Sequence, residues 1–139
     1  MKKESDLRTL FRRLVNSYAA PLGCGLFFLF LLRFVFFFGY VPSASMEPTI
    51  KEGSFIFGVR LLRELELGDV IVFEHDGSLL TKRIAALPGD SIIMDGKTII
   101  VPENSYFMLG DNADMSIDSR FWVEPFVEQS TIVALLTFR

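Results

Sequence analysis

Two segments of the sequence hold side chains that could act as a nucleophile and its base. Ser43 and Ser45 lie within residues 42–49, where two prolines favour a stiff, extended chain. Lys82 and Arg83 are adjacent in an apolar segment, so a strand there would point them to opposite faces. Whichever faces the core is desolvated, and desolvation lowers the pKa of a lysine. A neutral amine beside a serine hydroxyl is a general base.

Each segment also has an ordinary interpretation when it is taken alone. Residues 42–49 have the composition of a linker rich in serine and proline. Lys82 and Arg83 could be solvated charges that protect the edge of a sheet from pairing with another chain.

A third segment, residues 110–122, is a dense run of polar side chains that predicts a loop held together by its own hydrogen bonds. Within it Asp118 and Arg120 could pair, and Ser116 could donate to an amine. Calcium binding is a weaker interpretation, because the loop lacks the glycine at position 6 and the glutamate at position 12 of an EF-hand.

Single copies of histidine and cysteine restrict the chemistry further. His75 could be the base of a serine triad, but its place beside an Asp-Gly turn favours an ordinary turn residue. Trp122 is expected to serve in packing. Cys24 is the only cysteine, so an intramolecular disulfide and a multi-cysteine metal site are excluded. We expect neither a cofactor nor a metal.

The elements that position these segments divide the chain into three parts. Residues 1–18 carry five basic and two acidic side chains, a net of three positive charges, and predict a cytoplasmic flank. Residues 19–41 are apolar except for Arg33 and are long enough for a transmembrane helix. A cleavable signal sequence is the alternative, although the apolar run is long for one. The charge bias places residues 42–139 outside the cytoplasm.

The third part, residues 42–139, reads as short apolar runs broken by turn residues, without long helical periodicity. Asp95-Gly96 is the clearest hairpin turn. The expected fold is mostly β: one N-terminal transmembrane helix, then a small antiparallel β-sandwich or partly open barrel. This part has eight basic and fifteen acidic side chains, which disfavours nucleic acid as a partner.

Taken together, the segments resemble the bacterial type I signal peptidase (leader peptidase) family, whose members are serine proteases with a Ser-Lys dyad. Residues 43–49 are similar to its nucleophile segment and 67–73 to the strand that follows. Residues 82–90 are similar to its lysine segment, and 110–120 to its last conserved segment.

The resemblance implies a role for each matching residue. Ser45 is the nucleophile that forms an acyl-enzyme, and Lys82 is its general base. The Ser45 backbone N–H and the Ser43 hydroxyl form the oxyanion hole. Four further residues support the site. Ser116 orients the Lys82 amine, Asp118 and Arg120 brace the wall of the site beside it, and Met46 lines the site.

It also implies substrates and a location. The substrates are preproteins whose signal peptides end in small residues at the first and third positions before the cut. The enzyme is a single-pass protein of the bacterial cytoplasmic membrane, in contact with the lipid bilayer and near the Sec/Tat export machinery. Ala113 and Met115 depart from the Arg and Asn that the family usually has, and the extra β domain of longer relatives is minimal or missing.

Three other functions compete with a general signal peptidase. A dedicated processing peptidase for one secretion or conjugation substrate would share the chemistry. A LexA-like self-cleaving protein would share the dyad but needs a DNA-binding helix-turn-helix, where this chain has a basic flank and an apolar segment. A non-catalytic, membrane-tethered module could bind signal sequences without cutting them.

Overall fold

The computed structural model describes residues 2–60 and 64–137, with side chains described for residues 15, 17–60 and 64–137. The chain forms two compact units, residues 1–35 and residues 36–139.

The first unit is one helix, α1 (Lys2–Phe34), of 33 residues with Pro21 inside it. Its segment Ser17–Phe34 is long and apolar enough to cross a membrane, a property that a signal sequence would share. The apolar side chains of this segment are mostly exposed, as lipid-facing side chains would be.

The predicted anchor at residues 19–41 extends beyond this helix. α1 ends at Phe34, and Phe36–Tyr40 form a strand that pairs with a second strand. Phe37 is buried in the core of the second unit, and this burial favours the strand over continued helix. Sequence hydropathy cannot separate the two, because a lipid-facing helix and a core-facing strand are both apolar.

The second unit is built from antiparallel strands. They are β1 (Phe36–Tyr40), β2 (Phe55–Val59), β3 (Val70–His75), β4 (Ser78–Ala86), β5 (Ser91–Met94), β6 (Lys97–Ile100), β7 (Ser105–Leu109), β8 (Phe126–Glu128) and β9 (Ile132–Leu136). Short 3₁₀ helices lie at Ala44–Met46 and Gln129–Thr131. A seven-stranded sheet has the order β1-β2-β9-β3-β4-β7-β8, and β5 and β6 pair separately. The mostly β fold predicted from the sequence is confirmed.

The central strand β3 is buried on both faces. Val70 and Val72 pack into one apolar cluster, which also contains Met46, while Ile71 and Phe73 pack into another. A strand covered on both sides reads as a continuous apolar run, which is why Val-Ile-Val-Phe does not alternate with polar residues. β3 therefore gives the neighbouring β4 a rigid support.

The Asp95-Gly96 turn predicted from the sequence is present between β5 and β6. Met94 pairs with Lys97, leaving a two-residue loop. Asp95 has φ 52° and Gly96 has φ 74°, so both central residues are left-handed, as a type I′ turn requires.

Candidate active site

Strand β4 places Lys82 and Arg83 on opposite faces of the sheet, as the sequence predicted. Lys82 lies opposite Ile71 of β3, and its side chain is buried, with the residue only 3% exposed. Arg83 is partly exposed and lies opposite Val70. The lysine is therefore the residue of the pair that loses its hydration.

Burial lowers the pKa of Lys82 below its ordinary value, because the charged form is desolvated. The carboxylate of Asp118 acts in the opposite direction by favouring the cation, and Arg120 reinforces the lowering. This is the direction that the sequence predicted for a core-facing lysine.

A chain of hydrogen bonds runs from the lysine into the last loop. Lys82 Nζ donates to Ser116 Oγ at 3.0 Å, and Ser116 Oγ donates to Asp118 Oδ2 at 2.7 Å. The hydroxyl hydrogen of Ser116 is thus directed to the carboxylate, so Ser116 accepts from the amine. The donor and acceptor of this contact are therefore the reverse of those predicted from the sequence.

Asp118 is fully buried and heavily hydrogen-bonded. The Arg120 guanidinium contacts both of its carboxylate oxygens, at 2.8 and 2.9 Å, and the Gly110 backbone N–H donates to it at 3.0 Å. Burial alone would raise the pKa of Asp118, but these bonds and that from Ser116 outweigh it and lower the pKa to about 2. The pairing of Asp118 with Arg120 that the sequence suggested is present.

This lowered pKa predicts a loss of stability in acid. The folded pKa of Asp118 lies below the unfolded value of 3.8, so its contribution is complete above about pH 4 and is lost as the pH falls towards 2. We expect a loss of roughly 2 kcal/mol over this range. Urea unfolding can be followed by the fluorescence of Trp122, the only tryptophan.

The matched comparison is Asp118→Asn against Asp114→Asn, which removes an exposed carboxylate of the same loop. Asp118→Asn should flatten the dependence of the unfolding free energy on pH below pH 4, and Asp114→Asn should not. Equal slopes in Asp118→Asn and the wild type would contradict the assignment.

The nucleophile candidate lies in the short 3₁₀ helix Ala44–Met46. Ser45 and Met46 are both buried, and Met46 is packed into the core cluster that includes Val70 and Val72. Ser43 Oγ lies 3.3 Å from Ser45 Oγ and donates to it. Met46 thus fixes the segment to the core, while Ser45 keeps its hydroxyl next to a second hydroxyl.

Asn112 ties the last loop to this segment, a role that the sequence analysis did not assign. Its backbone N–H donates to Ser45 O at 3.1 Å, and its side-chain Nδ2 donates to Ala44 O at 3.1 Å. The dense polar run around Asn112 predicted a loop with internal bonds, but its partners are more than sixty residues away in sequence. No local pattern identifies them.

Gly110 allows the loop of residues 110–122 to lie close to the segment that contains Ser45. A Cβ atom at this position would collide with the Ser116 side chain and with the Ser45 carbonyl. The glycine is therefore needed for close approach of the backbone.

Gly110→Ala is expected to lower kcat/KM by roughly a hundredfold, because a shift of about 1 Å in the reacting groups is enough for such a loss. Gly25→Ala is the control, since a Cβ there meets no atom within 4 Å. Cleavage rates of both variants on one substrate measure the effect. A Gly110→Ala protein near full activity would show that the approach is not required.

Arg83 links two loops on the other side of the sheet. It contacts both carboxylate oxygens of Asp111, at 2.8 and 2.6 Å, and donates to Gly68 O at 2.7 Å. The hydrogen bond from Arg83 lowers the pKa of Asp111. The second residue of the Lys-Arg pair thus has a structural role, which the sequence did not predict.

A cleft of about 260 Å³ brings the candidate catalytic residues together. Ser43, Ser45, Met46 and Lys82 all line it, and most of its other lining is apolar. Ser116 accepts a hydrogen bond from Lys82, and Asp118 and Arg120 follow it in the hydrogen-bond chain. A serine hydroxyl and a desolvated amine in one cleft are the components of an activated nucleophile.

His75 does not line this cleft. Its ring stacks on Trp122 with a centroid distance of 4.0 Å, and the side chain is about one-fifth exposed. It is therefore a packing residue at the end of β3, more buried than the turn position suggested. Among the described residues, no group of His, Cys, Asp and Glu side chains could hold a metal ion.

Comparison with known proteins decides the family. Residues 14–101 and 94–139 match the family model described as signal peptidase, peptidase S26. The chain belongs to the signal peptidase family, peptidase S26. The resemblance seen in the sequence is thereby confirmed.

Several proteins similar to this chain are bacterial signal peptidases. A probable signal peptidase I-2 of Synechocystis is 30% identical over 60% of this chain. Signal peptidase I of Bacillus licheniformis is 29% identical over 65% of this chain, and signal peptidase I of Bacillus amyloliquefaciens is 27% identical over 86%. The chain spans about half (54%) of the length of the Synechocystis relative, and 69% and 84% of the two Bacillus relatives.

Proposed function

We propose that this S26 family protein is a membrane-bound serine endopeptidase that removes signal peptides from exported preproteins through a Ser45–Lys82 dyad. One observation carries the proposal: Lys82, buried and with a lowered pKa, lines the same cleft as Ser45. Desolvation keeps a larger fraction of the amine neutral, and only the neutral amine can accept a proton.

In the first half of the reaction Lys82 takes the proton of Ser45 Oγ while that oxygen attacks the scissile carbonyl carbon. The carbonyl oxygen becomes an oxyanion, stabilised by the Ser43 hydroxyl and the Ser45 backbone N–H. The C–N bond then breaks, and the lysine ammonium returns its proton to the leaving amine. The signal peptide is left as an ester on Ser45 Oγ.

In the second half Lys82 accepts a proton from a water molecule that attacks the ester. The ester C–O bond breaks, and the proton passes to Ser45 Oγ, which restores the hydroxyl. One residue thus serves as base and acid in both halves, as histidine does in a serine triad.

The hydrogen bonds behind Lys82 support this assignment of roles. Because Ser116 directs its hydrogen to Asp118, it can only accept from the lysine amine. A neutral amine that donates one N–H to Ser116 keeps its lone pair for Ser45. Arg120 holds Asp118 in place, so the three side chains orient the base.

The proposed location follows from α1 and from the charge distribution. The membrane span is assigned within Ser17–Phe34, shorter than the predicted residues 19–41. The basic residues 1–18 remain in the cytoplasm and residues 42–139 lie outside it. The helix spans the bacterial plasma membrane, and the protein acts near the Sec/Tat machinery.

The substrate class is tested by cleavage of a purified preprotein by the detergent-solubilised full chain. The preprotein has alanine at the first and third positions before the cut, and either alanine is replaced by phenylalanine. We expect one cut after the second alanine and loss of that cut with either phenylalanine. No cleavage, or cleavage indifferent to both replacements, would contradict the proposal.

A further inference from the structure

The rim of the cleft carries exposed apolar side chains next to the polar catalytic groups. Met115 is 66% exposed and Ile117 is 73% exposed, and both line the cleft that contains Ser45 and Lys82. Ser116 between them is buried against Lys82. Burial therefore alternates along these three residues, with two side chains exposed and the one between them buried.

Leu79 and Tyr40 also line this cleft and are more than half exposed. Leu79 belongs to β4, three residues before Lys82, so it lies on the strand that carries the base. Apolar groups that line a cleft stay in water only until a ligand covers them, and covering them is favourable. Because the cleft contains Ser45 and Lys82, the occupant that covers its rim is the peptide being cut.

We infer that Met115 and Ile117 select substrates by an apolar side chain at the second position before the cut and the first position after it. This inference rests on the proposed function. In an extended peptide successive side chains point to opposite sides. When the small side chains at the first and third positions before the cut point to the cleft floor, the side chains at the second position before the cut and the first position after it point to the rim.

The size of the preference follows from the area available. Complete burial of a leucine side chain is worth about 1.5–3 kcal/mol, and a rim contact buries only part of it. We expect leucine at either position to be preferred over serine by roughly fivefold in kcat/KM. Met115→Asn and Ile117→Asn replace an apolar rim contact by a hydrated amide and should reduce that ratio towards one.

The test measures kcat/KM of the detergent-solubilised full chain on peptides that differ only by leucine or serine at these positions. Ile93→Asn is the matched control, because Ile93 is an 81% exposed isoleucine on β5 that does not line the cleft. The wild type and Ile93→Asn should keep the preference, while Met115→Asn and Ile117→Asn lose most of it.

The outcomes separate the two levels of the argument. Cleavage without preference in the wild type, or a preference unchanged in Met115→Asn and Ile117→Asn, would overturn the inference and leave the proposed function intact. A preference lost equally in Ile93→Asn would also overturn it, since the effect would then not be local. Failure to cleave any of the peptides would overturn the proposed function and the inference with it.

Discussion

Lys82→Met is expected to lower kcat/KM for a preprotein by about a thousandfold, within the range of 10²–10⁴ typical of a lost general base. Methionine fills nearly the same volume but cannot accept a proton. Asp118 keeps its contacts with Arg120 and Gly110, so the loop of residues 110–122 next to position 82 should remain in place. Cleavage assays compare this variant with Lys97→Met, which changes an exposed lysine of β6.

The same substitution should make the protein more stable at neutral pH. The folded pKa of Lys82 is lowered, so the unfolded chain binds more protons between that pKa and 10.5. Wild-type stability therefore rises with pH over this window, as the burial penalty is relieved. Lys82→Met has no such penalty, and we expect a gain of about 1–2 kcal/mol at pH 7 that shrinks towards pH 10.5.

Opposite changes in activity and stability would distinguish a functional lysine from a structural one. If Lys82 served only to hold the loop, its replacement would reduce both. A Lys82→Met protein near full activity would contradict the mechanism, and one less stable than the wild type at pH 7 would contradict the buried-charge argument.

Ser45→Ala is expected to lower kcat/KM by on the order of 10⁴-fold or more, because alanine has no hydroxyl with which to form the acyl-enzyme. The double variant Ser45→Ala with Lys82→Met should be no slower than Ser45→Ala alone, since groups that act as a unit are not additive. Ser130→Ala, at an exposed serine of the second 3₁₀ helix, is the control.

The outcome for the double variant is as informative as that for the single one. A further loss by the factor seen for Lys82→Met alone would mean that the two residues act independently. A Ser45→Ala protein that still cuts at the same bond would place the nucleophile elsewhere.

Part of this site could be predicted because its cause is local. Alternation along β4 puts one of two adjacent cations in the core, and desolvation then fixes the direction of its pKa change. The Asp95-Gly96 turn is local for the same reason, since two left-handed residues suit few side chains. Strand alternation and two-residue turns can therefore both be predicted from the sequence.

The rest depends on contacts between distant segments. Asn112 bonds to Ala44 and Ser45, and Gly110 approaches the Ser45 carbonyl, because the fold brings the loop after β7 beside residues 44–46. The ion pair of Arg83 with Asp111 likewise joins residues 28 positions apart. The sequence marked these residues as polar but could not show their partners.

Strand β1 could not be predicted from the sequence for a different reason. Its aromatic run continues the apolar stretch of α1 without a break, so hydropathy assigned it to the membrane. Only the pairing of Phe36–Tyr40 with β2 and the burial of Phe37 distinguish strand from span.

The central claim, that neutral Lys82 is the base for Ser45, is tested most directly by changing the pKa of the base alone. Cysteine at position 82, in a background where Cys24 is replaced by serine, is alkylated to a thioether analogue of lysine whose amine has a lower pKa. The acid limb of the kcat/KM profile reports the base of the free enzyme. We predict that the unmodified Lys82→Cys protein is inactive, and that alkylation restores cleavage with the acid limb shifted to lower pH. Restored cleavage with an unmoved acid limb, or activity before alkylation, would contradict the claim.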